Sequence, residues 1–422
     1  MKYSEILSKI RKNTSFHLEF RSENHELWEK SLNDLDYINY YYTNEFLNFQ
    51  KQLINDSSDE FFEISMMFFF ENRFISLWPL SVTKINGVYK LSTFSFPVLY
   101  PVEARNINSK LKKKLFLETV NIIRDLGLET GEIKFFKPFL NSMKLNFWQE
   151  NAVKYEKYFS NEYSLYVKIQ DNYNEIFSNF RKGTKSSIKQ AEKLWSTKVV
   201  SAEETELWDQ FKQLHITVSS GKTRSDESWN IQYNNLINGK SFLVCLFEDN
   251  QKFIGGGLFS FSRDECEYST AAYERLKFDK PLSHLVQQEA IKEMSKRNIT
   301  WYRIGKKFIP NNQDIISDNK DYKISLFKEK TLKEGSTKIA NILSQKKIPN
   351  IVFLNYSSNL DKFLFWAQQL IAESLGKKNK GFFPIISTVP KDHHSLLQLY
   401  LDGPKDKLFI IFSIEEKMTK KL

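Results

Sequence analysis

The feature that most constrains the fold of this sequence is a repeated pattern of apolar hairpin, helix and short strand. Residues 63–82 and residues 241–261 each read as two apolar strands joined by a turn. A helical pattern follows each hairpin, ending at Gly127 in the first copy and beginning at an N-cap candidate, Ser283, in the second. Corresponding features lie roughly 170–180 residues apart, which is typical of a duplicated module. The repeat predicts two similar domains in tandem, each mixing helices with a sheet.

Size and composition indicate a folded protein with a basic surface. A chain of 422 residues, 41% of them hydrophobic, should bury the cores of about two or three domains. Lysine and arginine exceed aspartate and glutamate by 61 − 51 = 10, and this excess favours anionic partners such as sugar phosphates, nucleotides, tRNA or a membrane surface. Most of the lysines are scattered singly, so an ordinary solvated surface remains the alternative.

The cysteines and the apolar runs indicate the compartment. Cys245 and Cys266 are the only cysteines, and they have neither metal-ligand spacing nor the number that a disulfide framework needs. The first twenty residues are polar and broken by charges, unlike a signal peptide. No apolar run approaches the roughly 18 residues of a membrane helix. We therefore expect a cytoplasmic protein without a transmembrane segment or a metal site.

A basic stretch lies between the two copies of the repeat. Residues 173–195 have a helical pattern that we expect to be interrupted near Gly183. A solvated helix face is the more common role of such a charge cluster, and an anion site is the alternative. Its cationic residues are Arg181, Lys182, Lys185, Lys189 and Lys193.

An ordered series of motifs resembles the FemAB family between Tyr173 and Lys328. The resemblance implies paired acyltransferase folds of the GNAT type and a fold class of α/β with α+β character. It predicts a first GNAT-like domain over 1–150, a second, transferase domain over 151–330 and a different segment over 331–422. The segments that carry the resemblance are 180–193, 211–229, 253–261, 268–291, 302–305 and 323–328.

A Phe-Lys pair after the last strand is the catalytic feature that this resemblance implies, and Phe327 and Lys328 match it. Transfer of an acyl group to an amine passes through a tetrahedral intermediate with a negatively charged oxygen. A fixed cation beside that oxygen lowers the barrier. An aromatic residue followed by a surface lysine is the ordinary alternative.

Five further residues are candidates for this chemistry. Arg224 could clamp a phosphate or carboxylate with its planar guanidinium, or it could cap a loop. Tyr268 and Tyr273 could line a substrate groove or belong to the core. His284 could act as a general base or as a structural residue. Gly256, in the centre of a triple glycine, could let a substrate backbone approach the strand, or it could mark a bulge.

The expected donor is an activated acyl group. GNAT acetyltransferases bind the coenzyme A pyrophosphate with a glycine-containing turn before a helix, whereas residues 275–283 contain no glycine. The resemblance to the FemAB family implies aminoacyl-tRNA, or another donor such as an acyl thioester, as co-substrate. The implied acceptor is an anionic small molecule or a nucleotide-sugar precursor with a free amine.

A second resemblance begins near residue 335 and reaches about residue 416. We expect a helix that is capped by Asn359 and ends at Gly376, with Gln369 and Glu373 on one face because they are four residues apart. Residues 366–407 resemble the C-terminal part of bacterial and archaeal glucose-6-phosphate isomerases.

The resemblance to the isomerases implies roles for four residues. Glu373 matches the family's proton-shuttling glutamate, which Gln369 precedes by one turn. His394 matches the ring-opening histidine, and Lys377 could contact sugar oxygens or phosphate. The sugar-phosphate pocket of the family has no counterpart in this sequence, and positioning supplies much of an enzyme's rate. We therefore predict negligible isomerase activity. A transferase, an isomerase relative and a chimera with an inert tail remain the three alternatives.

Overall fold

The protein forms two compact units in a computed structural model, Met1–Leu332 and Lys333–Leu422. Helices and sheets occur in both units, so the predicted mixed α/β class is confirmed. Division of the first unit into domains at about residue 150 stays a prediction. The structure describes residues 2–12, 14–56, 60–130, 133–134, 147–155, 163–169, 172–200, 204–219, 221, 223–248, 251–307, 348–375 and 382–412.

In the described part of residues 2–155, the first half of unit one, the strands form two four-stranded sheets and a two-stranded one. Strand orders are β1-β3-β4-β8, β2-β5-β6-β9 and β10-β7. The helices of this half are α1 (Tyr3–Lys12), α2 (His25–Leu32), α3 (Asn44–Asn55), α4 (Ser109–Leu126) and α5 (Phe147–Tyr155). Its strands are β1 (His17–Phe20), β2 (Glu60–Glu63), β3 (Met66–Phe70), β4 (Arg73–Trp78), β5 (Ser81–Ile85), β6 (Val88–Ser92), β7 (Val98–Leu99), β8 (Val102–Glu103), β9 (Glu129–Thr130) and β10 (Ile133–Lys134).

The predicted first hairpin and the helix after it are confirmed. β3 and β4 pair antiparallel around Glu71 and Asn72, whose φ angles of 51° and 60° form the tight turn that matches strand twist. Both faces of this hairpin are buried in separate cores, which explains its nearly continuous apolar sequence. α4 begins at the side-chain cap Asn108 and ends at Gly127, where a φ of 63° favours glycine.

The second half of unit one, residues 163–307, is built on one six-stranded sheet of order β11-β16-β15-β14-β13-β12. Neighbouring strands are antiparallel except for β15 and β16, which pair parallel. The elements are β11 (Tyr163–Lys168), α6 (Tyr173–Ser178), α7 (Lys182–Leu194), β12 (Ser196–Val199), α8 (Thr205–Val218), α9 (Asp226–Ile237), β13 (Ser241–Glu248), β14 (Lys252–Phe261), β15 (Glu265–Tyr273), α10 (Ser283–Lys296) and β16 (Trp301–Lys307).

This six-stranded sheet separates two cores. Along β13, Phe242 and Val244 point to the side covered by α7 and α10. Leu243 and Cys245 point to the side covered by α8 and α9. Successive side chains along a strand point to opposite faces of the sheet, so alternate residues of β13 belong to different cores. Cys266 lies in the first of these cores, and both cysteines are buried and free.

The helix interruption predicted near Gly183 is confirmed: Arg181, two residues earlier, has an extended backbone (ψ 150°) that separates α6 from α7. Gly183 is inside α7, where no neighbour comes within 4 Å of its missing side chain. Ser283 is the first residue of α10 rather than its cap, a position that Leu282 takes without a side-chain hydrogen bond.

The two halves of unit one are joined by a buried polar cluster around Glu265. Tyr37 and Asn39 from the first half donate hydrogen bonds to the Glu265 carboxylate. Arg303 in β16 lies with its Nε 3.3 Å from Glu265 Oε1 and also pairs with Glu267. Glu265 has no exposed surface and Arg303 only 5%. The cluster ties the first half to the centre of the second half's sheet.

Unit two is a small parallel α/β structure. Its three strands have the order β18-β17-β19, and both pairs are parallel. We expected Asn359 to cap the long helix, but it lies in a 3-10 turn before that helix. The side chain of Asn355 instead donates a hydrogen bond to the side chain of Asp361, the first residue of the helix. The elements are β17 (Asn350–Asn355), α11 (Asp361–Leu375), β18 (Phe383–Thr388), α12 (Leu397–Asp402) and β19 (Lys407–Phe412).

Candidate functional site

Arg224 lies where the two halves of unit one meet. It directly precedes α9, whose start is fixed by Ser225: the Ser225 side chain accepts a hydrogen bond from the Ser228 backbone N–H. The guanidinium carbon lies 3.6 Å from the ring centroid of Trp229 in α9. It also lies 5.5 Å from the ring centroid of Phe49 in α3 of the first half. Two aromatic rings from different halves therefore hold this cation.

The Arg224 guanidinium has unused hydrogen-bonding capacity. Its Nε and Nη2 are buried and have no hydrogen-bond partner among the described residues. Burial lowers the pKa of Arg224 to about 10. Arg21, by contrast, is fully buried and bonds Glu63, Asn44 and Asn48. Since buried charges are ordinarily paired, Arg224 is a candidate for binding an anion that comes from outside the chain.

His215 is a second polar residue of this site, and the sequence reasoning missed it. Its ring centroid is 5.1 Å from that of Trp229, in an edge-on arrangement. Its Nδ1 is buried and has no hydrogen-bond partner in the part of the chain that is described. Burial and the charge of Arg224 both lower its pKa, which favours a neutral imidazole. His215 and Arg224 occur in the same motif, residues 211–229, so that motif could have indicated His215 as a candidate. Nothing in the sequence pointed to Phe49.

The triple glycine makes room for the protein's own tyrosines. A side-chain carbon on Gly257 would lie 2.5 Å from the Tyr268 ring, and one on Gly255 would lie 2.5 Å from the Tyr273 ring. The two phenol oxygens are 2.8 Å apart and hydrogen-bonded. At Gly256 a side-chain carbon would lie 2.8 Å from the Val244 carbonyl oxygen. These spaces are filled by the chain itself. The pairing of β13 with β14 also shifts register beside Gly255, which favours the bulge that was one of the two alternatives. Approach of a substrate backbone at Gly256 stays a prediction.

The sheet places the candidate residues on opposite sides. Tyr268 and Tyr273 pack against the core beneath α7 and α10, and His284 lies in the first turn of α10. Trp229 belongs to the opposite core, so Arg224, which stacks on it, lies on the side of α8 and α9. Burial lowers the pKa of His284, which favours its neutral form. Roles for the tyrosines and His284 in substrate binding or catalysis stay predictions.

The remaining candidates lie near the end of unit one and in unit two. Phe327, Lys328 and Lys377 lie outside the described residues. In α11, Gln369 Nε2 donates to Glu373 Oε1 over 2.9 Å, which confirms that these two residues share a face.

His394 follows a single 3-10 turn and is exposed, as is Glu373. Among the described residues, no hydrogen bond or ion pair joins Glu373 to His394. The two residues therefore do not form an enclosed site in that part of the chain.

Comparison with known proteins supports two separate likenesses. No family model matches this chain. The fold is similar to the crystal structure of FemX, with a TM-score of 0.52 and 12% identity over 72% of this chain and 92% of that one. Glucose-6-phosphate isomerase of Methanocaldococcus jannaschii is 50% identical over 66 residues, 16% of this chain and 16% of that protein. A probable glucose-6-phosphate isomerase of Haloquadratum walsbyi is 40% identical over 87 residues, 21% of this chain and 20% of that protein.

Both resemblances predicted from the sequence are therefore confirmed, the first as a similarity of fold and the second as a similarity of sequence. The likeness to FemX establishes a FemX-like fold over most of the chain. The likeness to the isomerases concerns the C-terminal segment, and the chain spans about a fifth or less of the length of the curated isomerases it matches. No helix among the described residues is long and apolar enough to cross a membrane.

Proposed function

We propose that this chain is a cytoplasmic acyl or aminoacyl transferase that acts on an amine of a cell-wall or surface-polysaccharide precursor. The observation that carries the proposal is Arg224, a cation held between two aromatic rings with two buried nitrogens lacking a partner among the described residues. A phosphate or carboxylate of the acceptor would accept these hydrogen bonds. Nucleotide-sugar precursors carry such groups, and a FemX-like fold supports the same class of substrate.

The proposed reaction transfers the acyl group in two steps. The acceptor's amine attacks the donor's carbonyl carbon, forming a C–N bond and a tetrahedral oxyanion. That intermediate collapses, the bond from carbon to the donor's leaving oxygen or sulfur breaks, and the amine loses a proton. Lys328, with Phe327 beside it, would stabilise the oxyanion. The amine's proton ends on the leaving oxygen or sulfur. A role of His284 in carrying that proton stays a separate prediction, because His284 lies on the opposite side of the sheet from Arg224.

Aminoacyl-tRNA is the donor that we propose, with an acyl thioester as the alternative. The segment between β15 and α10 is a 3-10 turn, Arg275–Lys277, followed by residues without glycine. It therefore lacks the flexible glycine turn whose backbone N–H groups meet a pyrophosphate in acetyl-CoA enzymes. This difference favours a donor other than acetyl-CoA.

A transfer assay tests this proposal. Labelled aminoacyl-tRNA or labelled acyl thioester is incubated with nucleotide-sugar acceptors that carry a free amine, and label on the acceptor is measured. We expect Lys328→Gln to lower kcat about 10²- to 10³-fold, the usual effect of removing one oxyanion donor. Lys330→Gln, two residues away, is the matched control. Full turnover by Lys328→Gln would show that this lysine does not stabilise the oxyanion.

We also predict that glucose-6-phosphate isomerase activity is negligible. Glu373 is exposed and its carboxylate is hydrogen-bonded to Gln369, which gives a sugar no enclosed binding surface at this position. Conversion of fructose 6-phosphate by the purified protein is the direct measurement. Conversion well above background that Glu373→Gln abolishes would contradict the prediction and would favour the isomerase alternative over a chimera with an inert tail.

A further inference from the structure

Two large apolar side chains are exposed at the loop between β15 and α10, the segment Glu274–Lys280 that we call the tip loop. Leu276 is 97% exposed and Phe278 is 65% exposed. Single exposed apolar residues are common on protein surfaces, but a leucine with almost its whole side chain in water contacts nearly nothing in its own chain. Two such residues two positions apart indicate a surface that meets an apolar partner.

The charges around the tip loop leave an excess of cations. Glu248 is paired with Lys277 over 2.5 Å, and Glu274 is paired with Lys252 over 3.1 Å. These pairs neutralise two of the nearby carboxylates. Lys280 makes no ion pair among the described residues and lies over an aromatic ring instead. Arg275 adds a cation and Asp279 adds a carboxylate, so the tip loop itself carries three cations and two carboxylates, a net charge of +1.

A row of lysines on α7 continues this positive surface. Lys182, Lys185, Lys189 and Lys193 are three or four residues apart and so share one face of the helix. None of the four pairs with a carboxylate in the part of the chain that the structure describes. Trp195 follows α7 directly, and Lys277 and Lys280 of the tip loop lie 5.7 and 5.6 Å from its ring centroid. The C-terminal end of α7, where Lys193 lies, is therefore close to the tip loop.

We infer that the tip loop and the lysine face of α7 form a docking surface for an anionic phospholipid bilayer. Leu276 and Phe278 would enter the boundary between headgroups and acyl chains, while the lysines would lie against the phosphates. Apolar insertion and electrostatic attraction add together in such interfacial binding. Docking requires no acyl transfer, so membrane binding can be tested separately from the proposed reaction.

Two other partners fit the surface less well. A single-stranded nucleic acid would use the lysines and could stack on Phe278, but Leu276 offers it no aromatic face. A second copy of this chain would bring two sets of lysines together, and like charges repel. An anionic bilayer offers acyl chains that can contact Leu276 and phosphates that can contact the lysines.

Co-sedimentation of the full-length protein with vesicles tests the inference. Phosphatidylcholine vesicles with and without phosphatidylglycerol are compared at physiological salt. We expect binding to the anionic vesicles and about ten-fold or greater weakening by the double variant Leu276→Ser with Phe278→Ser. Removing lysines as Lys189→Gln and Lys193→Gln should weaken binding by about five-fold for each lysine.

Matched controls separate docking from general effects. Val88→Ser removes another exposed apolar residue, and Lys110→Gln with Lys113→Gln removes two exposed lysines of α4; both should leave sedimentation unchanged. Circular dichroism confirms that each variant is folded. Equal sedimentation with neutral and anionic vesicles would overturn the inference, as would undiminished binding by the Leu276/Phe278 variant. Retention of RNA by the lysine face without vesicle binding would also overturn it, in favour of a nucleic-acid surface.

Discussion

Three arginines of the described residues, the buried Arg21 and Arg303 and the partly buried Arg224, differ in what their guanidinium groups contact. Arg21 and Arg303 each pair with buried carboxylates, Glu63 for Arg21 and Glu265 with Glu267 for Arg303. Arg224 stacks on aromatic rings, and two of its buried nitrogens have no partner among the described residues. The first two therefore neutralise buried carboxylates, whereas Arg224 is the arginine that we propose to bind an anion.

This contrast predicts different effects on stability. Arg224→Met should change the free energy of unfolding by less than about 1 kcal/mol, because the lost cation–π attraction is offset by removal of a poorly solvated charge. Arg303→Met should lower it by about 3–5 kcal/mol, because it leaves two carboxylates without their cation. Urea denaturation measures both. An equally large loss in Arg224→Met would mean that Arg224 supports the fold, and the argument for an anion site would fail.

At the scale of elements, β14 determines how the helices and strands pack around it. Its glycines allow the rings of Tyr268 and Tyr273 to lie directly on the strand, on the side of α10. On the other side, Gly256 has Val244 backbone and Phe211 as neighbours. The three glycines therefore leave both faces of β14 without side chains at these positions, and other parts of the chain pack directly against its backbone.

The packing on β14 can be tested by a rescue experiment. Gly257→Ala should lower the free energy of unfolding by about 1–3 kcal/mol, since the new carbon would lie 2.5 Å from the Tyr268 ring. Combining it with Tyr268→Ala should cost less than the sum of the two single changes. Gly256→Ala should show no such coupling to Tyr268→Ala, because its contact is the Val244 carbonyl. Strictly additive effects for Gly257 and Tyr268 would contradict this packing.

At the scale of the whole molecule, the joint between the halves of unit one contains a titratable group. Burial raises the pKa of Glu265 to about 7, although the charge of Arg303 and the hydrogen bond from Tyr37 act in the opposite direction. An unfolded glutamate has a pKa of about 4.3. Between these two values the folded protein keeps a proton that the unfolded chain has lost, so stability falls as the pH rises.

The expected pH dependence follows from that difference. Relative to Glu265→Gln, which mimics the protonated form, the wild-type free energy of unfolding should fall by about 3 kcal/mol between about pH 4 and pH 7. Above about pH 8, where Glu265 is ionised in both states, the difference should be constant. Denaturation of both proteins across this range measures it. Parallel stability curves for the two proteins would show that Glu265 ionises as readily in the folded protein as in the unfolded chain.

Much of the fold could be predicted because it depends on neighbouring residues. The turn at Glu71-Asn72 and the end of α4 at Gly127 follow from local backbone preferences, and both are confirmed. The two predicted helix caps, Ser283 and Asn359, are wrong. A serine and an asparagine suggested caps, but Ser283 is already the first residue of α10, and Asn359 lies in the 3-10 turn before Asp361.

The repeated hairpins, the mixed α/β class and the change of character in the C-terminal segment could be predicted from the linear chain, because periodicity and motif order are properties of that chain. Which candidates meet is established by the folded structure. It brought Phe49 to Arg224 from a distant helix, and it placed Tyr268 on the other side of the sheet. The physical reason is that the direction of each strand side chain, and the helix that covers it, are fixed by long-range packing.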